Sequence, residues 1–202
     1  MHDDRPVVAA LRAATASRHH AIEVVLRLDQ PLSLQRYGRV IAGFDWFLHH
    51  WESRLLQCLP ARLHDWFRGR SRRSLAQRDL RCLAPAAPHG QPFHDPTASL
   101  VLTDIAAQFG SLYVMEGSAL GGQVLARDLD QRLGLTIDRG SAYFHGFGTA
   151  TGALWREFRE RLEQEVGPRP ADIAAACAAA NATFDALTDA FRHVLDDAPY
   201  RA

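Results

Sequence analysis

Apolar residues recur every three or four positions along most of the chain, and no stretch shows the sustained alternation, bounded by tight turns, that marks hairpin strands. This pattern predicts an all-α fold. A first helix is expected from about Pro6 to Leu28. Proline suits its opening turn, and Val8, Leu11, Thr15, Ile22 and Leu26 fall at helical spacing before Pro31 stops it. Ser33 then caps a second helix, which carries Tyr37, Val40, Ile41, Phe44, Phe47, Leu48, Trp51, Leu55 and Leu56 toward Pro60. Thr97 to Leu133 reads as one long helix and Gly140 to Gly152 as a turn region. Leu154 to Val166 reads as a helix, Gly167-Pro168-Arg169-Pro170 as a break, and Ala171 to Leu195 as the last helix. The proline-rich run from Ala84-Pro85 to Asp95-Pro96 is a loop rather than a domain boundary, because helical period resumes after it. Residues 1–202 therefore read as a single domain without internal repeats.

Composition narrows the function classes. With 47% hydrophobic residues the chain can build a full core, and its 23 basic residues balance 23 acidic ones, which argues against a general nucleic-acid binder. Every basic residue is arginine. The opening Met1-His2-Asp3-Asp4-Arg5 lacks a secretory pattern and no run is long enough to span a bilayer, so a cytoplasmic protein with no membrane contact is expected. Cys58, Cys82 and Cys177 show neither zinc-site spacing nor a disulfide framework. Between Arg62 and Arg81 arginines outnumber Asp65 and Asp79, which reads as a solvated helix face or as a docking surface for an acidic partner.

Two stretches carry candidate chemistry. In the first helix a turn of about 100° per residue sets Val8, Arg12, Thr15, His19, Glu23 and Leu26 in one stripe, expected to look inward. His19 there is either a core histidine bonded to a carbonyl or a metal or haem ligand, with Glu23 one turn away to fix its other ring nitrogen. Arg12, two turns earlier, suits the acidic edge of a large flat ligand, whereas His20 points elsewhere and reads as surface. The second stretch, Gly110 to Leu125, is helical in period yet holds Gly117, Gly121 and Gly122. Those glycines cost about 3 kcal/mol of helix propensity. Gly117 and Gly121 share a face, where either another helix or a flat ligand could approach the bare backbone, and the pair also permits a kink.

Together these stretches resemble the haem oxygenase family. Its proximal pattern stands here as Leu11, Arg12, Thr15, His19 and Glu23, and its distal pattern as Tyr113, Gly117, Gly121, Gly122 and Gln123. Tyr143-Phe144-His145-Gly146-Phe147-Gly148, followed by Trp155 and Phe158, looks like the bacteriophytochrome-associated bacterial branch. The resemblance implies a helical bundle with haem, at once substrate and cofactor, held between a proximal helix and a kinked distal helix. It makes His19 the iron ligand, Glu23 its partner, Arg12 a propionate contact, and Thr15 and Tyr113 part of the haem-binding wall. Gly117 and Gly121 would lie over the distal face, with Arg156 and Arg159 at the propionates and Phe184 packing on the ring. The implied reaction opens haem to biliverdin with release of iron and carbon monoxide, using oxygen and electrons from a reductase or ferredoxin, and supplies bilin to a bacteriophytochrome. One departure stands out: several members have aspartate after the first distal glycine, and this chain has Ser118, placing a hydroxyl where they place an acid. Glu116, which precedes that glycine and points about 100° away from it, is a poor direct substitute. The alternatives are a noncatalytic haem- or bilin-binding protein, or another enzyme on a similar helical fold without haem.

Overall fold

The computed structural model describes residues 5–83 and 94–195, and among these the chain is helical with no strand. Helix α1 spans Pro6–Leu26, α2 Leu34–Cys58, α3 His64–Arg68, α4 Arg73–Leu83, α5 Ile105–Leu133, α6 Ala142–His145, α7 Thr151–Val166 and α8 Pro170–Leu195. Proline opens α1 as expected, and Ser33 caps α2 by accepting from the Arg36 N–H at 3.1 Å. Helix α1 stops at Leu26, short of Leu28, because Arg27 turns left-handed (φ 51°). Helix α5 begins at Ile105 rather than Thr97, capped by the Asp104 carboxylate on Ala107 N–H at 2.8 Å. Ahead of it, residues 96–99 form a turn in which the Leu100 N–H donates to the Thr97 carbonyl at 2.9 Å, and Leu100 and Leu102 are buried while Val101 is 68% exposed. The turn region contains α6 and a short 3-10 turn, and α7 starts at Thr151. The run from 84 to 93, read as loop, lies outside the described residues.

Helix α8 is the axis of the bundle. Helices α1 and α5 lie along it, α2 packs on its flank, and α7 touches both α1 and α5. The α5–α8 crossing is close: a Cβ at Gly110 would come within 2.0 Å of the Ala176 carbonyl oxygen, so only glycine allows the two backbones this approach. Across the same interface Ser111 Oγ pairs with Thr183 Oγ1 at 2.7 Å and accepts from the Trp51 indole N–H at 2.9 Å. Helix α1 is held at its start by α7, where the Glu163 carboxylate accepts from the N–H groups of Val7 and Val8 at 3.1 and 3.0 Å. That carboxylate neutralises donors which Arg5 at the N-cap leaves unmet.

The arginine-rich stretch is not a solvated face throughout. Arg70 and Arg72 are 7% and 5% exposed. Arg70 donates to Glu116 at 3.0 Å, to Glu157 at 3.1 Å and to the Leu154 carbonyl, tying the turn before α4 to α5 and α7. Asp79 on α4 is fully buried and accepts from the N–H groups of Ala142 and Tyr143 at 2.8 and 2.7 Å, fixing α6 against α4.

Candidate haem cleft

Helices α1 and α5 share α8 as a floor but barely touch each other. They meet at one end, where the Tyr113 phenol lies beside the Arg12 guanidinium and the Thr15 hydroxyl. Burial raises the Tyr113 pKa, and Arg12 works against that shift. Toward the other end an open depression of about 550 Å³ is lined by His20, Glu23, Val24 and Leu26 of α1, by residues 27–30 of the turn that follows it, and by Leu125 of α5. From Arg12 to Val24 and from Tyr113 to Leu125 the two helices therefore run side by side in the same direction over equal lengths. His19 lies near the middle of that span on α1, and the Gly117–Gly121 turn near the middle of it on α5.

The stripe on α1 divides in two. Val8, Thr15 and Leu26 are buried, Thr15 with its hydroxyl bonded to the Leu11 carbonyl at 2.8 Å, but Arg12, His19 and Glu23 are exposed. The buried positions centre on Leu11, Thr15 and Ile22, and His19 sits about 50° around the helix from them, on the shoulder that borders the cleft. The expectation of an inward stripe is corrected accordingly: the core takes one side and the cleft takes the other. His19 Nδ1 lies 3.4 Å from Glu23 Oε1, and its ring meets the edge of the nearly buried Phe184 on α8 at a centroid distance of 5.9 Å. Its side chain is 60% exposed, so it is not the core histidine bonded to a carbonyl. His20 is exposed and 3.9 Å from Glu23.

On the opposite wall the glycines divide by role. A Cβ at Gly122 would meet the Phe144 backbone at 3.2 Å, so this glycine serves packing against α6. A Cβ at Gly117 would touch only the Trp155 rim at 3.8 Å, and one at Gly121 would meet nothing within 4 Å. Gly117 is thus covered by Trp155 of α7 at ordinary contact distance, whereas Gly121 looks into open space. Exposed Leu120 and Val124 flank them, with Val24 exposed on α1. At the Arg12 end, Trp155 stands 5.9 Å from Tyr113, with the Arg159 guanidinium 5.7 Å over the indole and Arg156 exposed one residue away. Gln123 donates to the Gly148 carbonyl at 2.5 Å and Thr151 Oγ1 at 3.0 Å, pinning the α6–α7 connection on α5.

Ser118 lies on the flank of α5, about 80° around the helix from the Gly117–Gly121 face. Its hydroxyl donates to the Met115 carbonyl at 2.8 Å and accepts from Arg72 Nη2 at 2.5 Å. Glu116 is sequestered with Arg70, and burial pushes its carboxyl up to about 7 against the pull of both Arg70 and Arg72. Sequence reasoning missed Arg70 and Arg72 as members of this region, because their partners are more than forty residues away and no local spacing announces them. Trp155 was noted only as part of a motif, although it covers Gly117.

Residues 93–193, half of the chain, match the family model described as Heme oxygenase. The chain is also 34% identical over 134 residues to a heme oxygenase of Xanthomonas campestris pv. campestris, covering 66% of this chain and 71% of that protein. The chain belongs to the haem oxygenase family. Its fold is shared by the NO- and CO-bound heme oxygenase of Neisseria meningitidis, with a TM-score of 0.72 at 22% identity over 97% of this chain and 98% of that one. It is thus an enzyme that degrades haem, with haem as both substrate and prosthetic group. The cleft suits a haem oxygenase: an imidazole on one wall, bare backbone on the other and cationic groups at one end, with the opposite end mixed, Val24, Leu26 and Leu125 standing beside Glu23, Arg27 and Asp29. No helix among the described residues is long and apolar enough to cross a membrane.

Proposed function

We propose that this cleft holds haem between α1 and α5 and that the enzyme opens the ring to biliverdin, releasing iron and carbon monoxide, with oxygen and electrons from an external reductase or ferredoxin. The observation that carries this reading is the open bare face of Gly121, with Gly117 one turn earlier covered only by the Trp155 rim, on the helix that runs beside the one bearing the exposed His19 imidazole. His19 would ligate the iron, and Glu23 would fix its tautomer and orientation through Nδ1. Arg12, Arg156 and Arg159 would meet the propionates at the Tyr113 end, where Thr15 and Tyr113 complete the wall, and Phe184 would support the imidazole from below. Bound haem supplies the redox-active iron and the ring carbon that reacts; a neutral imidazole ligand gives less electron push than a thiolate would. The protein's contribution is to seat the ring, exclude bulk water with Leu120 and Val124, and present the Gly117–Gly121 backbone to the distal side. The likeness to bacteriophytochrome-associated enzymes points to a phytochrome as the receiver of the bilin.

The engaged hydroxyl of Ser118 favours one second reading, a haem- or bilin-binding protein that does not turn over, because no carboxylic acid stands in its place. Purified protein mixed with one equivalent of hemin and then reduced in air, with catalase present to remove free peroxide, separates the two. Loss of the Soret band with growth of biliverdin absorption in the red is expected. A Soret band that shifts and persists with two different electron donors would overturn catalysis and leave binding.

A further inference from the structure

The flank of α5 is gripped at the turn that bears Gly117. Arg72, in the turn before α4, is 5% exposed, and its Nη2 donates to the Met115 carbonyl at 2.8 Å and to Ser118 Oγ at 2.5 Å, while its guanidinium lies 4.8 Å over the Tyr143 ring. Ser118 donates to the same carbonyl. In an α-helix that carbonyl also serves the N–H four residues on, here Ala119, so an oxygen with two lone pairs meets three donors. The charge-assisted bond from Arg72 competes with the internal helix bond for that oxygen. Two residues earlier Arg70 holds Glu116, so one turn of chain grips residues 115, 116 and 118 around Gly117. Burying a guanidinium is costly, and this one gives its hydrogen bonds to a backbone oxygen and a hydroxyl, while Glu52 and Glu116 act on it only as nearby charges.

We propose that Arg72 is a positioning residue for haem: by anchoring Met115 and Ser118 on the flank of α5, it sets where the Gly117–Gly121 backbone stands in the cleft. The inference rests on the haem site proposed above. It gives Ser118 a task that a hydroxyl performs and an aspartate would perform differently: a carboxylate there would pair with Arg72 as an ion and draw it from the Met115 carbonyl. A planar guanidinium can serve two acceptors from a fixed position, which an ammonium does less well.

Amide hydrogen exchange read by mass spectrometry on the ligand-free wild type, Arg72→Met and Arg72→Lys tests the anchor, and hemin titration of the same proteins tests its consequence. In Arg72→Met the peptide covering residues 115–122 should exchange about tenfold faster while the rest of α5 and α8 keep their protection. Its hemin Kd should rise several-fold, and Arg72→Lys should recover part of both effects. Adding Ser118→Ala to Arg72→Met should cost little more, because the two act as one unit. Unchanged exchange at 115–122, or acceleration spread equally over α5 and α8, would overturn the anchor. A wild type that fails to bind hemin would overturn the haem site instead, whatever the exchange pattern.

Discussion

At Gly121 a methyl group would meet no neighbouring atom within 4 Å, so Gly121→Ala separates the cost of this glycine from its use. Alanine is favoured over glycine in a helix by about 1 kcal/mol, and the ligand-free variant should melt at a slightly higher temperature. Its hemin affinity should fall by about tenfold if the bare backbone meets the ring, as a direct titration would show. Loss of stability with unchanged affinity would reverse both readings. Glu116 supplies a pH test. Its carboxyl titrates near 7 when folded and near its ordinary 4.5 when unfolded, so the folded state holds the extra proton between these values. Its contribution to stability is therefore fullest below 4.5 and declines as pH rises toward 7, by at most on the order of 3 kcal/mol. Urea denaturation at pH 5, 6, 7 and 8 should show the wild type losing stability relative to Glu116→Gln over that range. A gain with pH would mean that pairing with Arg70 outweighs burial.

Helix α5 shows how one element answers to several neighbours at once. Gly110 admits α8, Gly122 admits α6, and Gly117 and Gly121 keep the cleft open, yet in the sequence all four are glycines in a helical period. Spacing identified the last three as unusual but could not separate packing from ligand contact, because that depends on what lies opposite. Gly110→Ala is expected to cost several kcal/mol in thermal or chemical denaturation, since the clash is with the Ala176 backbone, which cannot rotate away. The cap on α1 was equally invisible: Glu163 is far along the chain from the Val7 and Val8 N–H groups it accepts from. Glu163→Ala should lower stability by about 1–2 kcal/mol and loosen the helix that carries Arg12 and His19. By contrast the helices themselves were legible. Pro6, Ser33 and the apolar stripes act locally, whereas Thr97 lies in a turn whose short run of apolar residues, buried at Leu100 and Leu102, is indistinguishable by spacing from the start of α5.

For the whole molecule, the sequence carried the two walls of the cleft but not the space between them. His19, Glu23, Tyr113, Gly117 and Gly121 could be named from period and motif, whereas the bundle axis α8, which spaces α1 from α5, was read only as a last helix. The Phe184 ring under His19 and the Trp155 cover on Gly117 follow from that spacing. The account stands on haem entering this cleft through His19. The most direct test is a hemin titration followed at the Soret band for the wild type and His19→Ala, with circular dichroism establishing that both are folded. The wild type should saturate at one equivalent with a histidine-ligated spectrum. His19→Ala should lose that spectrum and bind about a hundredfold more weakly, with exogenous imidazole restoring the ligated form. A folded His19→Ala that binds hemin with the wild-type spectrum and affinity would contradict the account.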